Sequence, residues 1–456
     1  MEKVLPKGWV ETTFSNLVAY VIGGDWGKDE SFTDNDYSLA HCIRGSEIKN
    51  WNNDFGSTAV IRKIKNSSLS NRKLVQGDIL LEISGGGPDQ PVGRTVLIDN
   101  RVFEVLNKKP IVCTNFLRLI RSVENINSNF LNNYLQYFYQ IGKITEYQGG
   151  SNNLRNLKYK EFETIKIPLP PLAEQERIVA KLDALFAQHE KMKAALARIP
   201  QLLKNFRQQV LTQAVTGKLT EQWREGKNLD EWREVELKDV CKSFKYGSSS
   251  KSDDQGKVAV LRMGNLQNGK LDLSDLKYSN DDKEIDKYRL EYGNVLFNRT
   301  NSPELVGKTS IYKSEIPAIY AGYLIKIEND ILKLNSDYLN YFMNSQQVKI
   351  WCIEVKTDGV SQSNINAQKL ASLVIPLPSL QEQQEIVARV ESLFAKADVI
   401  EALYDLLKKK IEALPQAILH KAFKGELVPQ LPTDGNAKDL LAEIMALKKD
   451  IKTKKK

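Results

Sequence analysis

The sequence predicts an α+β fold: two α/β domains separated by a pair of long antiparallel coiled-coil helices, with an internal pseudo-twofold repeat. Three observations predict this fold. One segment occurs twice, shorter matches in the same order precede both copies, and an apolar heptad pattern continues each copy. The segment reads IPLPPLAEQERIVAKLDALF from Ile167 to Phe186 and IPLPSLQEQQEIVARVESLF from Ile375 to Phe394, 208 residues later.

Length and composition set the class of protein. The 456 residues correspond to two to four domains at roughly 100–200 residues each. A hydrophobic content of 41% is enough for packed cores, and no apolar run approaches the about 18 residues of a membrane span. MEKVLPKGWV contains no apolar signal core, and the four separated cysteines form no CxxC pair. We therefore expect a cytoplasmic protein with reduced, mostly buried thiols.

The formal net charge of +8 says little about nucleic-acid binding, because the end of the chain supplies most of it. The last nine residues, KKDIKTKKK, hold six Lys and one Asp, so they carry +5 and the other 447 residues carry +3. Function therefore has to be inferred from the organisation of the chain rather than from its total charge.

The repeat extends through both halves of the chain. The offset between matches drifts from 223 to 204 residues, as loops of different length in two copies of one fold would produce. Beyond Ile167 the drift stops, and residues 167–219 align with residues 375–427 without a gap. The earlier matches are Trp9 with Trp232, Ile43-Arg44 with Leu261-Arg262, QGDILL at 76 with YGNVLF at 292, VGRT at 92 with VGKT at 306, and YLQYF at 134 with YLNYF at 338.

The gap-free region carries apolar residues at alternating steps of four and three, the a/d pattern of a coiled coil. The pattern runs from Ile178 to Val210, with His189 in one polar slot, and again from Ile386 to Ile418. One inserted residue would rotate everything beyond it by about 100° and move the seam off its partner. Such a stripe alone is more often plain packing than function, and its duplication beside two similar domains is what favours a helix pair.

Glycine and proline residues predict where these helices end, kink or break. Gly217 and Gly425 are predicted to be the C′ residues that follow the two helices. Pro200 and Pro415 lie inside the seams and should kink or break them.

The strings IPLPPLAEQ, IPLPSLQEQ and NVLFNRTNSPELVGKT resemble those of the DNA-sequence-specificity (S) subunits of Type I restriction–modification systems, and the resemblance covers essentially residues 1–430. It implies a non-catalytic subunit with two variable target-recognition domains that together read an asymmetric, bipartite site in double-stranded DNA. It also implies helices that dock methyltransferase (modification) subunits, two of them expected, and endonuclease/translocase subunits. S-adenosylmethionine, ATP and Mg would serve those partners, and this chain would hold no cofactor or metal.

On this interpretation the chain has five segments. They are target-recognition domain 1 (1–166), a central conserved lead-in and long helix (167–219), target-recognition domain 2 (220–373), a C-terminal conserved lead-in and long helix (374–427), and a short helix with the Lys-rich tail (428–456). The coiled-coil and partner-binding residues are assigned as Ile178, Leu182, Leu185, Leu196, Leu203, Ile386, Val390, Leu393, Leu407 and Ile411.

The length of the helices suggests how two domains would be spaced. At about 1.5 Å per residue the first seam is roughly 48 Å long, against about 34–36 Å for one turn of B-DNA. The helix pair is therefore expected to fix the gap between two half-sites. These half-sites should differ in sequence, because the two copies have drifted apart.

The residues themselves favour a non-catalytic chain. There is no GxxxxGK[ST] phosphate loop and no NPP[YF] motif, and His41, His189 and His420 show no metal or triad spacing. Two alternatives remain open. One is a coiled-coil protein–protein scaffold with two globular binding domains, and the other is an enzyme with an unrecognised site.

Base reading requires directional donors and acceptors, such as Arg for guanine and Asn or Gln for adenine. Three paired regions supply them: the ends of two apolar strands, the turns SGGGPDQPVGRT and RTNSPELVGKT, and the loops QGGSNNLRN and TDGVSQSNIN. Structural salt bridges, solvated turns and flexible connectors are the respective alternatives. GGDWG (23–27) is interpreted as a further recognition loop. The candidate DNA-binding residues are Arg44, Ser84, Gln90, Arg94, Gln148, Ser151, Asn152, Asn153, Arg155, Arg262, Arg299, Asn301, Lys308, Ser361, Gln362 and Asn364.

Overall fold

The computed structural model describes residues 5–87, 90–107, 109–151, 154–359 and 362–454. The chain divides into two compact units. Unit 1 comprises residues 1–195 and 408–456, and unit 2 comprises residues 196–407, so unit 1 is built from both ends of the chain. Within the described ranges no helix combines the length and the apolarity needed to cross a membrane.

The first part of the chain alternates short strands with short helices. The strands are β1 (Val10–Thr13), β2 (Val18–Gly23), β3 (Tyr37–Ile43), β4 (Val60–Lys65), β5 (Ile79–Glu82), β6 (Ser84–Gly86), β7 (Thr95–Leu97), β8 (Ile111–Cys113), β9 (Leu117–Ser122), β10 (Gln148–Ser151), β11 (Leu154–Leu157) and β12 (Lys166–Leu169). The helices are α1 (Phe14–Leu17), α2 (Trp51–Asp54), α3 (Asn66–Arg72), α4 (Asn100–Val105), α5 (Ser128–Gln140), α6 (Tyr159–Phe162) and α7 (Leu172–Leu196), with 3-10 turns at Glu47–Asn50 and Lys143–Tyr147.

The second part has a corresponding series of elements. The helices are α8 (Ile199–Val215), α9 (Glu221–Arg224), α10 (Leu237–Val240), α11 (Asp282–Tyr288), α12 (Ser336–Met343), α13 (Gln346–Val355), α14 (Ala367–Ala371), α15 (Leu380–Phe423) and α16 (Ala437–Lys454), with 3-10 turns at Met263–Asn265 and Pro432–Asp434. The strands are β13 (Arg233–Glu236), β14 (Cys241–Tyr246), β15 (Val258–Leu261), β16 (Leu266–Gln267), β17 (Lys270–Leu271), β18 (Lys277–Ser279), β19 (Val295–Asn298), β20 (Thr300–Asn301), β21 (Thr309–Ile311), β22 (Ala318–Tyr320), β23 (Leu324–Asn329), β24 (Thr357–Asp358), β25 (Ser363–Asn364) and β26 (Val374–Leu377).

The two units repeat the same strand order. An antiparallel sheet β2-β9-β5-β7 in unit 1 corresponds to β14-β23-β19-β21 in unit 2. A second sheet in each unit contains one parallel pair, β3 with β8 and β15 with β22. A two-stranded sheet joins the first strand of each copy to the lead-in strand before the long helix, β1 with β12 and β13 with β26. The predicted internal repeat and α+β class are therefore confirmed.

A buried glutamine in each lead-in ties the long helix to a helix of the domain core. The Gln175 side chain accepts a hydrogen bond from the Asn127 backbone N–H (3.1 Å) and donates to the proline carbonyl five residues earlier (2.9 Å). Gln383 makes the same two bonds, to Asn335 (2.7 Å) and to its own upstream proline (2.9 Å). Asn127 and Asn335 are the N-caps of α5 and α12. An insertion between lead-in and helix would break these bonds, which is a second reason for the constant spacing.

The predicted helix ends are confirmed at both glycines. Gly217 and Gly425, each two residues beyond the end of α8 or α15, have φ of +77° and +73°, the left-handed conformation typical of C′. The prediction for the prolines is confirmed at Pro200, where the chain breaks between α7 and α8 and proline occupies the first turn of α8. A kink at Pro415 stays a prediction. Pro415 remains inside the continuous 44-residue α15.

A histidine from α7 explains how α15 continues through Pro415. Proline has no N–H, so the carbonyl of Ile411, four residues earlier, loses its helical donor. The His189 ring, 7% exposed, supplies one: Nε2 donates to the Ile411 carbonyl oxygen at 2.9 Å. Nearer the start of α7, Arg177 donates to the carbonyl of Pro429, beyond the end of α15 (3.1 Å). Within unit 1 the two helices therefore run antiparallel.

The same direction holds within unit 2. Arg207 of α8 pairs with Asp398 of α15 at 2.6 Å. Farther along, the Leu219 carbonyl accepts a hydrogen bond from Arg389 at 3.1 Å. Later residues of one helix thus meet earlier residues of the other, and the predicted antiparallel pairing is confirmed inside each unit.

Candidate nucleic-acid interface

In unit 1 two of the predicted regions, distant in sequence, form one small sheet. β6 pairs with β11, which also pairs with β10, in the order β10-β11-β6. Ser84 lies opposite Asn156 and Gly86 opposite Arg155 in the antiparallel register. Gln148 donates from Nε2 to the Val92 carbonyl at 3.2 Å, so the polar loop is also attached to the glycine-rich turn. The turn and the loop are therefore one structural feature.

Unit 2 builds the same feature from its own turn and loop. β20 pairs with β25, which also pairs with β24. Asn301 lies opposite Ser363, and the Asn364 side chain donates to Thr300 Oγ1 at 2.7 Å. The structure thus joins Asn301 and Asn364, which the sequence placed in separate regions. Gln362, just before β25, is exposed.

Two of the candidate arginines of unit 1, Arg44 and Arg94, are held by buried carboxylates. Arg44 donates to Glu47 from Nε (3.1 Å) and Nη2 (2.6 Å). Arg94 donates to Glu82 from Nε (2.9 Å) and Nη2 (2.5 Å), and also to the Gly45 carbonyl (3.0 Å). These hydrogen bonds raise the pKa of both guanidinium groups, which stay charged. The alternative of a structural salt bridge is therefore observed at Arg44, and Arg94 is not the solvated side chain that the turn alternative described.

This pairing limits what the arginines can read. A two-donor contact to guanine needs two free N–H groups on one edge of the guanidinium. In both arginines the Nε–Nη2 edge faces the carboxylate of its partner. That edge of Arg44 and of Arg94 is therefore already occupied, and contact of either residue with DNA stays a prediction.

Unit 2 has amides where unit 1 has these carboxylates. Asn265 occupies the position of Glu47, and its side chain accepts the Arg262 backbone N–H at 2.8 Å, as Glu47 accepts that of Arg44. Asn298, fully buried, occupies the position of Glu82. Arg262 instead pairs with an exposed carboxylate, that of Asp275, at 2.9 Å. The two units thus present different chemistry at equivalent places.

The two remaining candidate cations of unit 2, Lys308 and Arg299, contact neutral groups. Lys308 donates from Nζ to Gln267 Oε1 at 3.1 Å. The Arg299 guanidinium lies 4.7 Å from the centre of the Tyr246 ring and donates to the Gly322 carbonyl at 3.3 Å. Neither side chain is neutralised by a buried carboxylate in these contacts, unlike Arg94.

Unit 1 also contains an open cavity of about 580 Å³. It brings Arg44, from the end of an apolar strand, together with Ser84, Gln90 and Arg94 of the turn SGGGPDQPVGRT. The Gln90 amide, with its oxygen turned toward the guanidinium, lies 3.1 Å from Arg94 Nη2. The full lining is Trp26, Arg44, Gly45, Ser46, Lys49, Glu82, Ser84, Gly85, Gln90, Arg94, Thr114, Asn115 and Phe116.

Two features of the described residues bear on metal binding and on thiol chemistry. Among the described residues no group of three or more His, Cys, Asp or Glu is arranged to hold a metal ion. The four cysteines are free thiols, three of them buried as predicted and Cys241 partly so. Burial raises the pKa of Cys42, Cys241 and Cys352 to about 12, so these thiols are protonated at neutral pH.

Comparison with known proteins identifies the family. The profile of the Type I restriction modification DNA specificity domain matches residues 18–201 and again residues 229–409. The chain belongs to this family. It is 32% identical to the Type I restriction enzyme EcoKI specificity subunit of Escherichia coli (strain K12) over 436 residues, which is 93% of this chain and 90% of the relative. It is 31% identical to the StySPI specificity subunit of Salmonella potsdam over 433 residues, with the same coverage.

Solved structures agree with this Type I specificity family at the level of the fold. The HsdS subunit from Thermoanaerobacter tengcongensis has a TM-score of 0.63 at 19% identity, over 92% of this chain and 98% of that one. A chain from a structural study of complex assembly in the type I R-M system gives the same TM-score and identity. As a member of the specificity family, the chain is a non-catalytic subunit and not itself an enzyme.

Some of the candidate residues of this specificity subunit lie outside the described part of the chain. Asn152, Asn153 and Ser361 do so, as does the side chain of Ser151. Arg155 is half-buried on β11. Sequence reasoning missed Lys49, Asn115 and Phe116 of the cavity. Phe116 could have been found by extending the repeat, because Phe116, immediately before β9, corresponds to Tyr323, immediately before β23.

The seam residues of the specificity subunit differ in burial. Buried ones are Ile178, Leu182, Leu203, Ile386 and Val390, and partly buried ones are Leu185, Leu196, Leu393 and Ile411. Leu407 is 45% exposed. Their assignment to a coiled coil and to partner binding stays a prediction, as do the five segment boundaries.

Proposed function

We propose that the chain binds a bipartite, asymmetric DNA sequence, with one half-site read by each unit, and docks adenine-methyltransferase and restriction/translocase subunits. The observation that supports it is that equivalent positions of the two units carry different side chains. Each unit has the same small sheet beside the same turn, yet Glu47 and Glu82 of unit 1 are replaced by Asn265 and Asn298 in unit 2. One scaffold with two different surfaces suits two different half-sites.

The partner subunits carry the chemistry in this proposal. Adenine methylation requires S-adenosylmethionine, and translocation with cleavage requires ATP and Mg, so these cofactors belong to the partners and none to this chain. The long helices are proposed as the docking elements, because α15 exposes large apolar side chains. These are Val399, Ile400, Leu403, Leu406 and Leu407.

The test is to co-express the chain with its methyltransferase partner and to map methylated adenines across plasmid DNA by single-molecule sequencing. We expect one motif of two unlike parts separated by an unread gap. A continuous or palindromic motif would contradict asymmetric bipartite reading. Binding of the methyltransferase without any DNA motif would favour a protein–protein scaffold instead.

Variants in the two units then assign the half-sites. Gln90→Ala in unit 1 and Asn301→Ala in unit 2 remove candidate readers that are not part of buried ion pairs. We expect each to relax methylation at one half of the motif by about 1–3 kcal/mol of discrimination, and at different halves. If both variants changed the same half, the assignment of one half-site to each unit would be wrong.

A further inference from the structure

We propose that unit 1 accepts one unstacked base of the bound DNA in its 580 Å³ cavity, with Trp26 and Phe116 as the aromatic stacking residues. This inference rests on the proposed DNA-binding function and adds a mode of recognition to it. The cavity volume falls in the range of about 300–1,000 Å³ typical of small-molecule sites. A single nucleobase is therefore well within its capacity.

The charges around the cavity favour a base over a phosphate. Arg44 is neutralised by Glu47 and Arg94 by Glu82, and both carboxylates are almost completely buried. Once these two pairs are counted, Lys49 is the remaining charged lining residue, and it forms no salt bridge with any described residue. A phosphate site would present several free cations, whereas a neutral base with polar edges suits a cavity whose arginines are neutralised by carboxylates.

The two aromatic side chains leave apolar surface uncovered at the cavity. Trp26 is 39% exposed and Phe116 is 49% exposed, although both line the cavity. Arg62 holds Trp26 in place, with its guanidinium 4.4 Å from the ring centre and its Nε donating to the Trp26 carbonyl at 3.1 Å. Stacking of a base on such a side chain stabilises binding by about 1–3 kcal/mol.

A buried hydroxyl inside the cavity lacks a partner. Thr114 lines the cavity and is 3% exposed, and its Oγ1 makes no hydrogen bond with any described residue. A buried polar group without a partner costs free energy. This oxygen is closed off from the cavity in the structure, so a base edge could supply the partner only if its entry uncovered the hydroxyl.

The equivalent place in unit 2 lacks half of this arrangement. Gly24 and Gly247 are equivalent, since each donates its N–H to the first residue of β9 or β23. Trp26, two residues on, therefore corresponds to Ser249. Phe116 corresponds to Tyr323, which is 50% exposed. The inference is therefore confined to unit 1, and Tyr323 provides a matched control.

The experiment uses the purified complex of the chain with its methyltransferase and short duplexes that contain the methylated motif. Each duplex carries one abasic residue opposite one position of the motif, and binding is measured by fluorescence anisotropy. A protein that extrudes a base binds more tightly when that base has lost its pairing partner. The methyltransferase itself extrudes the adenines it modifies, so gains opposite those adenines are expected in any case.

We expect a further position, in one half-site, at which loss of the pairing partner tightens binding about tenfold. Trp26→Ala and Phe116→Ala should each abolish that gain and leave the gains at the methylated adenines intact. Tyr323→Ala should leave all of them intact. Trp26→Phe, which keeps an aromatic ring, should retain most of the gain.

The inference would be overturned if no position other than the methylated adenines showed tighter binding opposite an abasic residue. It would also be overturned if such a gain in affinity survived both Trp26→Ala and Phe116→Ala. Either result would leave the proposed function in place. Retained gains at the methylated adenines show that each variant is folded and bound. If the wild-type complex showed no sequence-specific binding at all, the proposed function would fail and the inference with it.

Discussion

Replacing His189 by leucine tests whether a side chain from α7 completes the hydrogen bonding of α15 at its proline. The substitution keeps the apolar volume of the slot and removes the donor to the Ile411 carbonyl, 2.9 Å away. Because Pro415 cannot supply an N–H, that carbonyl is then left without a protein donor. We expect the free energy of unfolding of unit 1 to fall.

The magnitude follows from the cost of leaving a partly buried carbonyl unsatisfied, at most about 1–3 kcal/mol. Pro415→Ala restores the helical N–H, so His189→Leu should cost much less in that background. The coupling free energy between the two substitutions is expected to be about 1 kcal/mol or more, well above the roughly 0.3–0.5 kcal/mol within which independent sites add. Gln188→Leu, on the exposed side of the same turn, is the control for placing leucine on α7.

Hydrogen–deuterium exchange read by mass spectrometry suits this test, because it reports unit 1 separately from unit 2. Peptides that cover α7 and the last turns of α15 should exchange faster in His189→Leu and regain protection when Pro415→Ala is added. Equal losses in the two backgrounds would refute the explanation and reduce His189 to a packing residue.

Three further outcomes are expected. Gln175→Ala should lower the free energy of opening of α5 by about 2 kcal/mol, the net value of two buried hydrogen bonds. Gln383→Ala should have the same effect on α12 and leave α5 unchanged. Hydrogen–deuterium exchange of both helices in both variants checks this. Arg177 lowers the pKa of Asp434, so this pair stabilises unit 1 above the ordinary Asp pKa, and the stabilisation is lost as pH falls through the lowered pKa. Asp434→Asn should remove that part of the acid dependence of Tm, and an unchanged profile would contradict it. The four cysteines should resist a disulfide reagent at pH 8 until the chain unfolds, and rapid labelling of Cys42 in the native protein would contradict its burial.

The repeat predicted more of this structure than any single motif. Because the offsets were preserved in order, the paired strands of unit 1 and unit 2 could be matched before their register was known. Gly217 and Gly425 were predictable because the left-handed C′ conformation selects glycine locally. The continuity of α15 through Pro415 was not predictable, because it depends on His189, more than 200 residues away.

The partners of the arginines were harder to predict for a similar reason. Glu82 meets Arg94 only through the pairing of β5 with β7. The sequence does contain a signal for this contact. Glu82 and Arg94 of the first copy correspond to Asn298 and Lys308 of the second, so both residues of the pair differ between the copies. The exposure of Leu407 marks another limit: a heptad pattern reports spacing, and it does not report which surface covers each side chain.

The discontinuity of unit 1 has a consequence for biosynthesis. Ile418, Phe423, Leu440 and Ile444 all belong to the same buried cluster as Phe14 and Phe130. A ribosome delivers these late residues only after the whole of residues 196–407 has emerged, so the domain begun first is finished last. A nascent chain that stalls just after residue 407 has left the ribosome would carry a complete second domain and an open first one, with its apolar interior available to chaperones.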